Sequence, residues 1–187
     1  MNRVAVFCGS REGADPLYVQ AAKDLGKTLA AKNIGLVYGG SSIGLMGAVA
    51  DEVLQNGGNV LGIIPTILSN KEIAHPKVTE LKVVNSMHER KALIYDSSDA
   101  FVIMPGGIGT LDEFFEIFTW HAIGQHNKPV GILNVNKYYD PLLHLLDHMV
   151  EQQFLGKNHR NTIFSEDNSE RLINKMKSKL SETGDKR

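Results

Sequence analysis

Residues 100–122 read AFVIMPGGIGTLDEFFEIFTWHA, a short apolar run that leads through glycines into an amphipathic segment. The run 100–104 is continuously apolar, which is typical of a strand buried on both faces of a parallel sheet. From Leu111 onwards, apolar residues recur at helical spacing and predict a helix over 111–122. The stretch therefore has the order strand, glycine-rich loop, helix, which is the repeating unit of an α/β fold.

The same alternation extends over the rest of the chain. Apolar runs that predict buried strands lie at 4–8, 34–38, 60–64, 81–84, 100–104 and 130–135. Helical patterns lie at 16–32, 43–56, 87–97, 111–122, 138–153 and 170–180. Such alternation predicts a doubly wound, Rossmann-like parallel sheet with right-handed crossovers and helices on both faces. We expect one domain over 1–180, a polar tail over 181–187, and an irregular segment over 65–77 as a candidate cover for a ligand site.

The composition narrows the class of protein. Of the 187 residues, 42% are hydrophobic and 22% are charged, as in soluble globular domains. The net charge of −1 provides no overall field for nucleic acid or an anionic membrane, so we expect neither as a partner. The one cysteine, Cys8, ends an apolar run and is expected to be a buried thiol in a reducing compartment. The first apolar run is too short for a signal peptide or membrane helix, and we expect a cytoplasmic protein.

Three predicted strands end in glycine-rich loops: CGSREG at 8–13, YGGSSIGLMG at 38–47 and MPGGIGTLDE at 104–113. A tight strand-to-helix turn would explain any one of them. Three loops at one sheet edge instead favour a bound phosphate, because glycines admit a ligand close to the backbone and helix N-termini present unpaired amides. None of the loops reads GxGxxG or GxxxxGK[ST], so a mononucleotide is favoured over a dinucleotide or a nucleoside triphosphate. The candidate contact residues on these loops are Gly9, Ser10, Gly40, Gly44, Met46, Gly106, Gly107, Ile108, Gly109, Thr110, Leu111 and Asp112.

Two features of these loops allow other interpretations. Residues 40–44 match GxSxG between a strand and a helix, the context in which Ser42 would be a hydrolase nucleophile, although the sequence singles out no His and Asp partners. Thr110 and Glu113 also have the spacing of a capping box at the start of the helix. Glu113 shares a helix face with Glu116 and Trp120, and that face could meet a sugar and base.

Two further clusters contain charged or metal-binding residue types. The segment MHERK at 87–91 opens a predicted helix, and its Arg90 and Lys91 are either a solvated basic pair or a pair held at a cleft. His144 and His148 are four residues apart, but HLLDH lacks the glutamate of HExxH. We therefore predict no metal site, and no motif implies a cofactor.

Taken together, MHERK, PGGIGTLDE, YGGSSIGLMG and the later KPVGILNVNKYYDPLL resemble the Lonely Guy family of cytokinin riboside 5′-monophosphate phosphoribohydrolases, once widely labelled lysine decarboxylases. The resemblance spans about residues 4–163. It implies hydrolysis of the N-glycosidic bond of a purine nucleoside 5′-monophosphate, AMP or an N6-modified AMP, by a homodimer. One departure is Ser41, where many relatives carry glycine; another is Ile108, at a variable place in the motif.

The resemblance also assigns roles to residues. It implies that Arg90 and Glu113 are the catalytic pair. It further implies substrate contacts at Glu72, Lys91, Gly107, Ile108, Gly109, Thr110 and Thr119. Cleavage of an N-glycosidic bond passes through a cationic sugar, so a carboxylate such as Glu113 suits the reaction. A non-catalytic nucleotide carrier remains the alternative, whereas a lysine decarboxylase would need a pyridoxal phosphate site that the sequence does not indicate.

Overall fold

The computed structural model describes residues 1–69 and 73–184. Seven strands form one parallel sheet: β1 Arg3–Phe7, β2 Gly35–Tyr38, β3 Val60–Pro65, β4 Glu80–Val84, β5 Ala100–Ile103, β6 Val130–Leu133 and β7 Ile163–Glu166. The helices are α1 Pro16–Ala31, α2 Gly44–Gln55, α3 Thr66–Ser69, α4 Met87–Asp96, α5 Ile108–Ala122, α6 Asp140–Glu151, α7 Lys157–Arg160 and α8 Ser169–Gly184, with a 3₁₀ turn at Val135–Lys137.

The strand order is β4-β3-β2-β1-β5-β6-β7, and every adjacent pair is parallel. This order confirms the doubly wound fold. The chain runs outwards from β1 to β4 and then returns to the other side of β1 with β5. Ligands of such sheets bind in the crevice where the strand order reverses, which here lies beyond the ends of β1 and β5.

Apolar side chains cover both faces of the sheet. One core lies beneath α1, α2 and α8, and it includes Leu25, Val49 and Met176. The other lies beneath α4, α5 and α6, and it includes Ile94 and Phe114. Because β1, β5 and β6 have a core on each face, their residues are almost all buried, as their continuous apolar runs predicted.

Four differences between the observed and the predicted elements concern β7, the segment 65–77, the end of α8 and the start of α5; the short helix α7 was also not predicted. Strand β7 was not predicted, because IFSE ends in Ser165 and Glu166 and has no continuous apolar run; β4, predicted as a buried strand, is an edge strand with only Val84 buried. The segment 65–77 contains the short helix α3, and Ser41 pairs with Ala74 in an isolated antiparallel bridge. Helix α8 continues to Gly184, into the segment predicted as a tail, and residues 185–187 lie outside the described part. No described helix is long and apolar enough to cross a membrane.

The fourth difference concerns the start of α5. The alternative interpretation of Thr110 and Glu113 as a capping box is wrong. The helix begins at Ile108 with Gly107 as its N-cap, so Thr110 lies inside the first turn and no side chain caps the helix. Glu113 is buried and its carboxylate bonds to another helix. Three glycines at 106, 107 and 109 made the boundary hard to predict, because glycine is a poor helix former by propensity.

Candidate active site

A cavity of about 610 Å³ lies at the crevice where the strand order reverses. Its walls are the loops after β1, β2 and β5, the first turns of α4 and α5, and the loop after β6. The predicted site residues that line it are Gly9, Ser10, Met46, Arg90, Gly106, Gly107, Ile108, Gly109, Thr110, Asp112 and Glu113. The sheet therefore brings together residues from loops far apart in the sequence, at the place where such folds bind ligands.

Five predicted residues do not line this cavity: Gly40, Gly44, Lys91, Leu111 and Thr119. The two glycines have structural roles instead. Both have positive φ, and a Cβ at Gly44 would overlap the backbone of Ser10. Lys91 forms ion pairs with Asp112 at 2.8 Å and with Glu116 at 3.3 Å, so it joins α4 to α5. Glu72 lies outside the described residues.

We predicted that the α5 face of Glu113, Glu116 and Trp120 could meet a sugar and base. Of these three residues, only Glu113 lines the cavity, and the other two contact protein side chains. Glu116 pairs with Lys91, and Trp120 packs edge-on against Tyr95 with ring centroids 5.2 Å apart. Sequence reasoning also missed several residues that line the cavity, namely Cys8, Arg11, Tyr18, Gly39, Met87 and Tyr138. All of them except Tyr18 stand within the motifs described in the sequence analysis, but local sequence does not indicate that they face the cavity.

The N-terminus of α5 opens onto the cavity without a side-chain cap. The first four amides of a helix have no intrahelical acceptor, and the helix dipole favours an anion beside them. Gly107 and Gly109 have open space where a Cβ would lie, so a ligand can approach their backbone. By contrast, Asp15 and Ser86 cap α1 and α4. The α5 amides are therefore suited to bind a phosphate.

The glycine-rich loops support one another through backbone contacts. The Gly9 amide donates to the Pro105 carbonyl at 3.0 Å, and the Leu45 amide donates to the Gly9 carbonyl at 3.1 Å. A Cβ at Gly106 would overlap the Thr110 hydroxyl and lie 2.9 Å from the Gly9 nitrogen. The loop before α5 can therefore pack this closely only with glycine at 106.

Arg90 and Glu113 form a buried ion pair in the cavity wall. Arg90 Nη1 donates to Glu113 Oε1 at 2.9 Å, and Arg90 Nε donates to the Ile63 carbonyl at 3.2 Å. Each residue is only 8% exposed. Helix α4 is held at its start by Ser86, whose hydroxyl accepts from the Glu89 amide at 3.1 Å. The pair thus has a fixed geometry, with two of the guanidinium nitrogens already engaged.

Burial raises the pKa of Glu113 above the ordinary value of 4.5, and the neighbouring Arg90 and Lys91 charges oppose part of that rise. The net direction is upwards because removing a carboxylate from water penalises its charged form. Burial likewise raises the pKa of the Cys8 thiol, with the Glu113 charge adding to it, so this thiol stays protonated and unreactive. A buried carboxylate with a raised pKa and a specific cationic partner in a cleft is typical of functional sites.

Gly39 provides the room that Arg90 occupies. A Cβ at this position would collide with Arg90 Nη2 and lie 3.1 Å from Met46 Sδ. We predict that Gly39→Ala folds but displaces the guanidinium, lowering kcat/KM by about 100-fold, because a misplacement of about 1 Å is enough for such a loss. The matched control is Gly35→Ala at the opposite end of β2, where the nearest atom is the flexible Arg3 side chain at 3.2 Å. Equal activity of the two variants would contradict this role for Gly39.

The structure contains a His and Asp pair near Ser42, but it does not serve that serine. His75 Nδ1 accepts from the Lys77 amide at 3.2 Å, so Nε2 carries the proton and donates to Asp51 at 3.1 Å. The Ser42 hydroxyl donates to the Ile73 carbonyl at 3.2 Å. Both ring nitrogens of His75 are thus engaged, and neither is left to deprotonate Ser42, as the base of a catalytic triad must.

We therefore predict that Ser42→Ala retains wild-type kcat/KM. The loss of one hydrogen bond to Ile73 should cost about 1 kcal/mol of stability. A steady-state assay together with a urea unfolding curve measures both effects. Abolished activity in a folded variant would revive the nucleophile interpretation.

The HLLDH segment offers no metal site in the described part of the chain. His148 Nδ1 lies 3.6 Å from Glu151 Oε2, both side chains are exposed, and no described group of three His, Cys, Asp or Glu residues is arranged to hold a metal ion.

A family profile described as "Possible lysine decarboxylase" matches residues 46–176. The chain belongs to this family. LOGL9 of Oryza sativa subsp. japonica, a probable cytokinin riboside 5′-monophosphate phosphoribohydrolase, is 49% identical over 175 residues, covering 94% of this chain and 77% of the relative. LOG4 of Arabidopsis thaliana, a cytokinin riboside 5′-monophosphate phosphoribohydrolase, is 46% identical over 175 residues, covering 94% of this chain and 81% of the relative. The resemblance to the Lonely Guy (LOG) family is thus confirmed.

Solved structures outside these relatives share the LOG family fold. The molybdenum cofactor binding protein of Rippkaea orientalis superposes with a TM-score of 0.71 at 23% identity, covering 95% of this chain and 96% of that one. The Moco carrier protein of Chlamydomonas reinhardtii superposes with a TM-score of 0.72 at 19% identity, covering 97% of this chain and 98% of that one. At these identities the likeness establishes the fold alone.

The older description of the LOG family as a lysine decarboxylase does not fit this cavity. Such enzymes hold pyridoxal phosphate through a Schiff-base lysine. No lysine is among the described residues that line the cavity, and Lys91 nearby is engaged by two carboxylates.

Proposed function

We propose that this protein hydrolyses the N-glycosidic bond of purine nucleoside 5′-monophosphates, either AMP or N6-modified cytokinin riboside 5′-monophosphates. The products are the free base and ribose 5-phosphate. The observation that supports this most directly is the buried Arg90–Glu113 pair in the same cavity as the uncapped start of α5. Relatives 46–49% identical over 94% of the chain are named for this reaction.

In this proposal, the α5 backbone amides of 107–110 bind the phosphate of the substrate. Glu113 lies one helical turn beyond Gly109 and Thr110, so a ribose attached to that phosphate extends towards its carboxylate. As the bond to the base breaks, positive charge develops on the sugar, and the Glu113 carboxylate stabilises it. Water adds its oxygen to the anomeric carbon, and one of its protons ends on the departing base. Arg90 holds the carboxylate in place through Nη1.

The experiment that tests the function is chromatography of products after incubation with AMP, isopentenyladenosine monophosphate and the two corresponding nucleosides. Free base and ribose 5-phosphate from the monophosphates alone are the expected result, because the nucleosides lack the group that the α5 amides bind. Intact nucleotides throughout, with tight AMP binding by calorimetry, would instead identify a nucleotide carrier.

We also propose a homodimer, as the family resemblance implies. The exposed apolar residues Leu81, Val83 and Met87 lie on β4 and at the start of α4, next to the cavity that Met87 lines. A second copy would remove this apolar surface from water. Light scattering coupled to size-exclusion chromatography measures the mass; a monomer at micromolar concentration would contradict the proposal.

The proposed location is the cytoplasm, without a nucleic acid partner. Cys8 is buried and free, as suits a reducing compartment, and the net charge of −1 is weak for binding a polyanion. Cell fractionation tests the first point, and a gel-shift assay tests the second.

A further inference from the structure

Two adjacent tyrosines after β6 hold the loop that leads into α5. The Tyr139 hydroxyl donates to the Met104 carbonyl at 2.8 Å, and the Tyr138 hydroxyl donates to the Gly106 carbonyl at 2.7 Å. Pro105 lies between the two carbonyls. Tyr139 is buried, whereas Tyr138 is 42% exposed and lines the cavity. The two tyrosines therefore hold the loop by bonds to the carbonyls on either side of Pro105.

The backbone before Tyr138 adopts a conformation that is costly for its residues. Asn136 and Lys137 have φ values of 49° and 58°, in the left-handed region that residues other than glycine rarely occupy. The Asn136 side-chain amide Nδ2 donates to Asp15 Oδ2 at 3.1 Å, and the Tyr139 backbone amide donates to Asn134 Oδ1 at 2.7 Å. Strain of this kind persists where surrounding contacts impose it, and it is concentrated at functional sites.

The bond to Gly106 orients the peptide group that begins the amide row of α5. In a planar trans peptide, the carbonyl of one residue and the N–H of the next point in opposite directions. Fixing the Gly106 carbonyl against Tyr138 therefore fixes the direction of the Gly107 N–H. Gly107 is the N-cap, so its N–H is the first of the four without an intrahelical acceptor.

We propose that Tyr138 is a positioning residue for the phosphate monoester of the substrate, acting through the Gly106–Gly107 peptide. This proposal rests on the proposed function, because it takes the α5 amides as the phosphate site. The Tyr138 ring is itself held, packing edge-on against Tyr18 with centroids 5.7 Å apart and against Tyr139 at 4.9 Å. A phenol in a fixed orientation can define the loop geometry before the ligand arrives.

The test is Tyr138→Phe, which removes the hydroxyl and keeps the ring. The affinity for ribose 5-phosphate, measured by calorimetry, is expected to fall about fivefold, the effect of one hydrogen bond. The KM for AMP should rise by a similar factor while kcat stays close to that of wild type, because Arg90 and Glu113 do not contact Tyr138. If the hydroxyl had only a structural role, its removal would lower the unfolding midpoint and would not raise KM while leaving kcat unchanged.

The matched control is Tyr95→Phe near the end of α4, which removes a phenolic hydroxyl from a residue that does not line the cavity and should leave both constants unchanged. Ribose 5-phosphate has no glycosidic bond, so its binding is measured whether or not the chain cleaves AMP. The proposal would be overturned if wild type and Tyr138→Phe bound ribose 5-phosphate with equal affinity. It would also be overturned if the wild-type protein did not bind ribose 5-phosphate. A wild type that binds ribose 5-phosphate but leaves nucleotides intact would refute the hydrolase function alone.

Discussion

Glu113→Gln is expected to lower kcat for AMP by about 1,000-fold while the protein stays folded, since general acid–base and electrostatic groups each contribute on this scale. The amide has nearly the shape of the carboxylate but cannot carry the negative charge that opposes the cationic sugar. Its KM should change little, because the phosphate is bound by backbone amides. Single-turnover hydrolysis measured with excess enzyme reports the effect.

The control for this variant is Glu116→Gln, the same chemical change three residues further along α5. Glu116 pairs with Lys91 outside the cavity, and we expect near wild-type turnover. Near-normal turnover of Glu113→Gln would remove Glu113 from the mechanism.

The pH dependence of wild-type turnover follows from the raised pKa of Glu113. If the ionised carboxylate is the active form, kcat/KM falls on the acid side at a pH above the ordinary 4.5 of a glutamate. The same limb should be absent from the residual activity of Glu113→Gln. An acid limb that persists unchanged in that variant belongs to another group.

The second large effect is expected for Arg90→Ala, which leaves the Glu113 carboxylate buried without its cation. Breaking one partner of a buried pair costs about 3–5 kcal/mol of stability. Turnover should fall by at least about 100-fold, because the carboxylate loses its orientation. Urea unfolding curves and steady-state kinetics measure the two losses separately.

The stability loss in Arg90→Ala should depend on pH with a definite sign. Removing Arg90 removes the largest of the influences that lower the pKa of Glu113, so that pKa rises further. A carboxyl whose pKa is raised by folding favours the folded state at low pH, and this contribution is lost as the pH rises through the raised pKa. The variant should therefore be least stable in mildly alkaline buffer and recover in mildly acidic buffer.

The double variant Arg90→Ala/Glu113→Gln separates charge burial from lost packing. It lacks the buried carboxylate of Glu113, so it should recover much of the stability at neutral pH and show little dependence on pH, while its turnover stays at least as low as that of the single variants. A double variant as unstable as Arg90→Ala would show that the Arg90 side chain stabilises the fold by packing and by its bond to the Ile63 carbonyl.

Much of the fold was predictable because strand burial and helical periodicity are local patterns. Six of the seven strands and the six long helices were predicted near their observed positions. The missed strand, β7, reads IFSE, so its sequence lacks the continuous apolar run on which the prediction depended. The start of α5 was misplaced because its first turn contains residues of low helix propensity and depends on loop packing around Gly106.

By itself, the sequence determined the order of six strands and the six long helices, the gathering of glycine-rich loops at one sheet edge, and the presence of Arg90 and Glu113 in the motifs there. These follow from neighbours a few positions apart. Only the tertiary structure decided that Arg90 meets Glu113 across 23 positions, that Gly39 makes room for the guanidinium, and that Tyr138 holds Gly106 across 32 positions. Such contacts depend on which strands become neighbours in the sheet, and this is decided by the crossover connections. A local sequence pattern does not predict that arrangement.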